Sequence, residues 1–149
     1  MTNMTKTTVR KQHRAALGQW AEQHAKQFLE QQGLCCLAQN YHSRYGEIDL
    51  VMCCADCLIF VEVKARAFTA IASAQAVIST TKQIKVAKTA LYFLQQHIKF
   101  AHFFCRFDVI SIDFKEKFMD QKDSDFAGLA YDLQWIENAF TFDEELINL

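Results

Sequence analysis

Two apolar segments separated by a short turn run from Gly46 to Lys64, and they restrict the fold more than any other part of the chain. Both are rich in Val, Ile, Leu and Phe, which β-strands favour. A two-residue turn at Ala55 and Asp56 would join them as an antiparallel hairpin. Because side chains alternate between the faces of a strand, one face of this hairpin is predicted to be wholly apolar. That face consists of Ile48, Leu50, Met52, Ile59, Val61 and Val63.

The other face of the hairpin is apolar near the turn and charged at its open end, which holds Asp49, Glu62 and Lys64. In the predicted register Leu50 faces Val61 and Asp49 faces Glu62, with β-carbons about 5 Å apart. Opposed carboxylates repel each other, whereas a shared divalent cation would balance both. With a lysine beside them, these acids predict a metal-dependent site that cleaves phosphodiesters. The alternative is that Lys64 neutralises one acid at a solvated strand end.

Two segments of this hairpin also resemble a known family. Gly46-Glu47-Ile48-Asp49-Leu50 and Phe60-Val61-Glu62-Val63-Lys64-Ala65-Arg66 resemble the YraN family, which looks related to archaeal Holliday junction resolvases in the PD-(D/E)XK nuclease superfamily. The resemblance implies an α/β, restriction-endonuclease-like core, in which a central mixed β-sheet is flanked by helices. It also implies magnesium, or manganese in its place, and it assigns the nuclease signature to Asp49 and Glu62-Val63-Lys64. Asp49 and Glu62 are the expected metal ligands.

An amphipathic helix is predicted from Arg10 to Gln32, with Gly33 ending it. Glu22 lies at the edge of the apolar stripe of this helix, from where it could approach the acidic end of the hairpin. In the resemblance, Gly18 followed by Glu22 matches a helix glutamate that related resolvases use near the metal. The alternative is a solvated glutamate at the rim. The candidate catalytic residues are therefore Glu22, Asp49, Glu62 and Lys64.

A second helix, predicted from Thr80 to Lys99, carries candidate nucleic-acid-binding residues. Lys82, Lys85 and Lys88 are expected to project together, opposite the apolar stripe, where they would neutralise backbone phosphates. A solvated helix face is the alternative. Gln83 is expected on the apolar side, reaching the site through the sheet, and the pair Lys82-Gln83 also resembles a family feature.

Two arginines near the hairpin are further candidates for nucleic-acid binding. Arg44 lies among Tyr41 and His42, a mixture of cations and aromatic rings that suits contacts to phosphates and bases. An exposed loop is the alternative for these residues. Arg66 ends the second segment that resembles the family.

The rest of the chain predicts three more strands, the first of them from Leu34 to Tyr41. In the segment from Phe103 to Asp113, Arg106 and Asp108 share a face and are interpreted as a structural pair. The segment from Leu133 to Phe140 predicts a final strand that turns into a short helix. Residues 65–81 predict a connector or a flap over the site.

Charge is distributed unevenly along the chain, although the net charge is −1. Residues 1–112 hold 13 Lys and Arg against 7 Asp and Glu, whereas residues 113–149 hold 3 against 10. The first part therefore favours a nucleic-acid partner, and DNA is expected. The chain lacks an apolar run of roughly 18–20 residues and a signal peptide, so we expect a cytoplasmic protein away from membranes.

The length of 149 residues predicts a single nuclease-like domain over residues 10–149, after a disordered N-terminal arm over residues 1–9. Cys54 and Cys57 have a spacing that zinc sites use, but no second such pair follows. The six cysteines are therefore interpreted as small buried hydrophobes.

The predicted function is that of a magnesium-dependent endodeoxyribonuclease, which hydrolyses phosphodiester bonds in branched or repair intermediates of DNA. One alternative is a non-catalytic protein on a nuclease-like scaffold, which binds nucleic acid or assists assembly. Another is a small adaptor that docks through the acidic tail. Related resolvases act as dimers, and the sequence leaves both a monomer and a homodimer as alternatives for this chain.

Overall fold

The structure, a computed structural model, describes residues 6–66, 78–115, 128 and 130–141. Within these ranges, one mixed sheet of five strands lies between two helices, which confirms the predicted α/β class. The elements in chain order are α1 (Lys6–Gln31), β1 (Cys35–Ser43), β2 (Gly46–Cys54), β3 (Cys57–Arg66), α2 (Thr80–Gln96), a 3₁₀ turn (Ile98–Phe100), β4 (Phe104–Phe114) and β5 (Tyr131–Phe140). Most of the predicted flap, the loop after Lys115 and the acidic tail lie outside the described residues.

The strand order is β1-β2-β3-β4-β5, so neighbours in the sheet are also neighbours in sequence. All adjacent strands are antiparallel except β3 and β4, which are parallel. A parallel pair needs a long crossover, and α2 lies within that connection. As a result β3 is central, and its C-terminal end emerges between the two helices.

Helix α1 covers one face of the sheet through small and branched residues spaced four apart, which are Ala21, Ala25 and Leu29. It begins at Lys6, earlier than predicted, because no glycine or proline interrupts the sequence before Gly18. Residues 6–9 of the predicted disordered arm are therefore helical. Gly33 has a φ of +96°, and Leu34 N–H donates to Leu29 O over 3.1 Å, so Gly33 ends the helix as predicted.

Helix α2 covers the opposite face and is capped by Ser79, whose side chain accepts from Lys82 N–H. Its buried residues include Val86, Ala90 and Phe93. Lys82 stands one turn before Val86, so it continues the sheet-facing side of the helix. The prediction that all three lysines project opposite the apolar stripe is therefore wrong for Lys82. The helix also ends at Gln96, before the predicted Lys99.

The predicted hairpin register is confirmed from the turn to Leu50, which pairs with Val61. Beyond that point the ladder between β2 and β3 stops, so the predicted pairing of Asp49 with Glu62 is absent from it. Ile48 is also displaced, because it packs on the α2 side of the sheet with Val51 and not on the α1 side with Leu50. Strict alternation therefore fails between Ile48 and Leu50, and Asp49 lies at this irregularity.

A buried polar cluster ties β4 to β5. Asp108 is fully buried and accepts from Arg106, from the Trp135 indole and from Asn138 N–H, each within 3.0 Å. The structural pairing of Arg106 with Asp108 is thus confirmed. Strand β5 continues to Phe140, so the predicted short helix is wrong. The β4–β5 ladder is irregular between Phe107 and Val109, where β5 carries the extra residues 137–139 opposite Asp108 before pairing resumes at Phe140.

The cysteines are more exposed than the sequence predicts. Cys35 and Cys54 are exposed, so the interpretation as buried hydrophobes is wrong for these two, and the other four cysteines are only half-buried. Neither α1 nor α2, the helices of the described ranges, combines the length and the apolarity that a bilayer crossing requires.

Candidate active site

Asp49 is fixed at the point where β2 separates from β3. Its Oδ2 accepts a hydrogen bond of 2.8 Å from Val63 N–H, a backbone donor that the ladder leaves unused there. The carboxylate thus takes the place of a backbone carbonyl at the end of the ladder. A residue held in this way has a defined direction, which is what a ligand or catalytic group needs.

Three carboxylates converge around this point. One oxygen each from Glu22, Glu47 and Asp49 lies within 4.8 Å of the others. Glu22 comes from α1, as the predicted approach of this helix to the hairpin requires. Burial raises the pKa of Glu22, the charge of Asp49 raises it further, and a hydrogen bond with Asn40 opposes the shift. We call these three residues the carboxylate cluster.

Glu62 lies beside the cluster but is far more buried, with a side chain only 3% exposed. Its Oε2 pairs with Lys82 Nζ at 3.5 Å, whereas its Oε1 is buried and has no hydrogen-bond partner among the described residues. Burial and the charge of Asp49 raise the pKa of Glu62 to about 8, and Lys82 acts in the opposite direction. Glu62 and Asp49 thus lie in a region that holds too little positive charge to balance both carboxylates.

An open cleft of about 310 Å³ lies over the cluster, between α1 and the end of β3. Glu22, Asp49, Lys64 and Lys82 line it, together with Arg14 from the preceding turns of α1. A second cavity of about 190 Å³ opens on Glu62 and shares Lys64 and Lys82 with the first. The four predicted catalytic residues therefore lie on two adjoining cavities, and Lys64 stands between the two.

The predicted nucleic-acid contacts are divided between this site and the turn before β2. Lys82 reaches the site. Arg44 and Lys88 lie at the β1–β2 turn, where both cations stand over the ring of Tyr45 at 4.8 and 5.7 Å from its centroid. Lys85 is exposed and packs near Gly46, where a β-carbon would lie 3.3 Å from its Cβ.

Arg66 and Gln83 form contacts outside the carboxylate cluster. Arg66 forms an ion pair with Asp113, its partner in the β3–β4 ladder, at 2.9 Å. Gln83 Nε2 donates to Ile78 O over 2.8 Å, so its amide holds the segment before α2 in place rather than reaching through the sheet. Their nucleic-acid contacts stay predictions.

Glu47 and Arg14 are residues of this site that sequence reasoning missed. Glu47 precedes Asp49 by two residues, and strand alternation places both side chains on the same face, which is the signal that the sequence offers for Glu47. Its other neighbour is His42, whose Nδ1 is 3.4 Å from Glu47 Oε2. For Arg14 a signal existed, since it precedes Gly18 by one helical turn and Glu22 by two.

The donor set fits a hard divalent cation. Magnesium and manganese prefer carboxylate oxygens, and three such oxygens stand close enough to converge on one ion. The raised pKa values of Glu22 and Glu62 and the orphaned Glu62 Oε1 indicate that positive charge is lacking here. Glu22, Glu47 and Asp49 would hold such an ion, with Glu62 adjoining it.

Fold and site together define an α/β protein with an acidic cleft at the end of its central strand and lysines at the rim of that cleft. The model of the uncharacterised protein family UPF0102 matches residues 21–112, which include Glu22, Asp49, Glu62 and Lys64. The chain belongs to this family, which is the YraN family of the sequence resemblance.

Relatives from several bacteria agree with this assignment. A UPF0102 protein of Acinetobacter baylyi is 49% identical over 129 residues, which cover 87% of this chain and 92% of that protein. One from Acinetobacter baumannii (strain AYE) is 50% identical over 127 residues, covering 85% and 96%. One from Saccharophagus degradans is 42% identical over 127 residues, covering 85% and 94%.

Proposed function

We propose that this protein is a metal-dependent endonuclease that hydrolyses phosphodiester bonds in DNA, with branched or repair intermediates as its substrates. The observation that carries the proposal is the convergence of Glu22, Glu47 and Asp49 beside an open cleft, which is lined by Glu22, Asp49 and Lys64. A structural role would not require three acids to approach one another, because like charges in proximity destabilise the fold.

Each residue then has a chemical role. Glu22, Glu47 and Asp49 would hold the magnesium ion, and Glu62, the second ligand that the resemblance implies, adjoins it. When bound, the ion would polarise the phosphoryl group and lower the pKa of water. Lys64 lies at the junction of the two cavities, where its ammonium group can offset charge that develops on the phosphate. Lys82 holds Glu62 and offers a second positive charge.

The chain order supports a finer proposal about the fold. Helix α1 is followed by the antiparallel strands β1 to β3, then by α2 and the parallel strand β4. We propose that this is the restriction-endonuclease-like PD-(D/E)XK core that the resemblance implies. In this arrangement Asp49 and Glu62-Val63-Lys64 lie on adjacent strands, and Glu22 reaches them from the preceding helix.

Cleavage assays with defined substrates test the proposal. The purified full-length chain is incubated with end-labelled four-way junction, splayed, single-stranded and blunt duplex DNA, each with Mg²⁺, with Mn²⁺ and with EDTA. RNA versions of the same strands determine the choice between DNA and RNA. We expect metal-dependent cleavage of at least one DNA substrate, with a preference for branched forms.

Matched variants separate catalysis from contamination. Asp49→Asn should reduce cleavage by about 100-fold or more, because it removes a charged ligand without changing size. Asp56→Asn makes the same change in the exposed turn at the other end of the hairpin, and it should cleave like the wild type. The nuclease proposal is wrong if the wild type cleaves none of these substrates and Asp49→Asn binds DNA with the same affinity as the wild type. The protein would then be a nucleic-acid-binding protein.

A further inference from the structure

A second surface lies beside the carboxylate cluster, on the α2 side of the sheet. Its groove, about 290 Å³ in volume, is lined by Arg44, Tyr45, Lys88, Leu91, Tyr92 and Gln95. We call it the Tyr45 groove. It combines two aromatic rings, two cations and an amide, and none of these side chains belongs to the cleft described above.

The turn that carries Tyr45 is held firmly against α2. Ser43 Oγ lies 2.9 Å from Thr89 Oγ1 and accepts from Tyr45 N–H at 3.0 Å. Gly46, with a φ of +152°, allows the backbone to approach Lys85 more closely than a residue with a side chain would. The turn is thus a fixed platform and not a loose loop.

The two tyrosines of this segment, Tyr41 and Tyr45, differ in what they can bind. Tyr41 packs against Phe93 in a T-shaped contact with centroids 5.1 Å apart, so its ring belongs to the core. Tyr45 instead lines the groove, with Arg44 and Lys88 over its ring and Arg44 donating to its hydroxyl at 2.7 Å, and Tyr92 is 36% exposed. Tyr45 is therefore the ring that a planar ligand can reach, by displacing Arg44 or Lys88 from its face.

We propose that the Tyr45 groove binds one unpaired nucleotide of the nucleic-acid substrate, with the base on the Tyr45 ring and the phosphate between Arg44 and Lys88. Stacking on tyrosine suits any base, and the cations complement the phosphate. A base within a duplex is already stacked and paired, so the groove favours single-stranded segments. This inference rests on the proposed function because it names the class of substrate that the cleft would cut.

The Tyr45 groove lies close enough to the carboxylate cluster for both to contact one strand of DNA. Tyr45 is two residues before Glu47, so at most about 7 Å of backbone separates the groove from the carboxylate cluster. Lys82 and Lys88 are six residues apart on α2, about 9 Å along its axis. A strand anchored at Tyr45 would thus pass its neighbouring phosphates towards Lys82 and the cleft.

Binding measured without turnover tests the inference separately from catalysis. The full-length chain is titrated in EDTA with hairpin DNA that carries 2-aminopurine either in a five-nucleotide unpaired tail or within the duplex. We expect the fluorescence of the tail probe to change on binding, and its Kd to be about tenfold lower than that of a blunt duplex of equal length. Equal affinity for the two DNA forms would overturn the inference.

Variants locate the contact. Tyr45→Ala should weaken binding of the tail probe about tenfold and leave duplex binding within about twofold, because only stacking is lost. Tyr45→Phe keeps the aromatic ring and should bind the tail probe with the affinity of the wild type. Phe104→Ala removes an aromatic ring that is 70% exposed elsewhere and should change neither affinity. If Tyr45→Ala binds the tail probe like the wild type, the inference is wrong, whether or not the protein cleaves DNA.

Discussion

Asp49 and Val63 are joined by a hydrogen bond of 2.8 Å, in which Val63 N–H donates to Asp49 Oδ2 across the gap where β2 leaves β3. This bond directs the Asp49 carboxylate towards α1 and makes it the common neighbour of Glu22, Glu47 and Glu62. The same residue therefore closes a strand ladder and centres the carboxylate cluster. These two roles are separable by substitution.

Asp49→Asn should keep the bond to Val63, since an amide oxygen still accepts, while relieving the repulsion by neighbouring acids. We expect its free energy of unfolding to equal or exceed that of the wild type at pH 7.5. Asp49→Ala leaves Val63 N–H without this partner and should lose about 1 kcal/mol or more relative to Asp49→Asn. Urea denaturation followed by circular dichroism measures the difference, and equal stability of the two variants would contradict the structural role.

The raised pKa of Glu62 predicts how stability depends on pH. Because its pKa rises from 4.5 in the unfolded chain to about 8 in the folded one, the folded state binds more protons between these values. The stability contributed by neutral Glu62 is therefore complete below about pH 4.5 and is lost as the pH rises through about 8. In EDTA, we expect the free energy of unfolding to fall by on the order of 2 kcal/mol between pH 5.5 and 8.5.

Glu62→Gln supplies the control for that pH dependence. The variant keeps the size of the side chain but cannot titrate, so its stability should change far less over the same pH range. Mg²⁺ should raise the stability of the wild type at pH 8.5, since bound positive charge favours the ionised carboxylate. A wild type and a Glu62→Gln variant with parallel pH profiles would show that Glu62 titrates normally.

How much of this site the sequence predicts depends on the regularity of the backbone. Apolar alternation and a short turn were enough for the register from Cys54 to Leu50, since these residues obey the period of two. The approach of Glu22 followed from its place on the edge of a helix stripe. Both are local rules that a single sequence carries.

The remaining features depend on packing that no local pattern reports. Glu47 and Asp49 meet Glu22 of α1 because alternation fails between Ile48 and Leu50, so that the strand before the break presents these two carboxylates to the α1 side. Lys82 faces Glu62 because α2 buries Val86, Ala90 and Phe93, a stripe whose phase is set by the sheet beneath it. The ion pair of Arg66 likewise needs the β3–β4 register, which becomes known only once the sheet is assembled.

Glu47 gives the sharpest test of what the structure adds. Glu47→Gln should weaken Mn²⁺ binding about tenfold, because it removes one of three converging carboxylates. His42→Gln removes the imidazole that lies 3.4 Å from Glu47 and serves as the control, with Mn²⁺ affinity within about twofold of the wild type. Isothermal titration calorimetry at pH 8 measures both, and unchanged affinity in Glu47→Gln would exclude this residue from the metal site.

Asp108 should matter for stability alone. Its buried carboxylate accepts from Arg106, Trp135 and Asn138, so Asp108→Ala leaves buried donors and a guanidinium without their acceptor. We expect a loss of about 3–5 kcal/mol in the free energy of unfolding. Mn²⁺ affinity at a temperature where the variant is folded should match the wild type, and a selective loss of metal binding would instead connect this cluster to the site.

The central claim is that Asp49 and the acids around it hold a divalent cation. Anomalous diffraction from a crystal of the full-length protein soaked in Mn²⁺ tests it most directly. We expect a strong anomalous peak within about 2.5 Å of an Asp49 carboxylate oxygen, with at least one oxygen of Glu22, Glu47 or Glu62 also coordinating. A soaked crystal with no peak at these carboxylates, or with Mn²⁺ bound only elsewhere, would contradict the account.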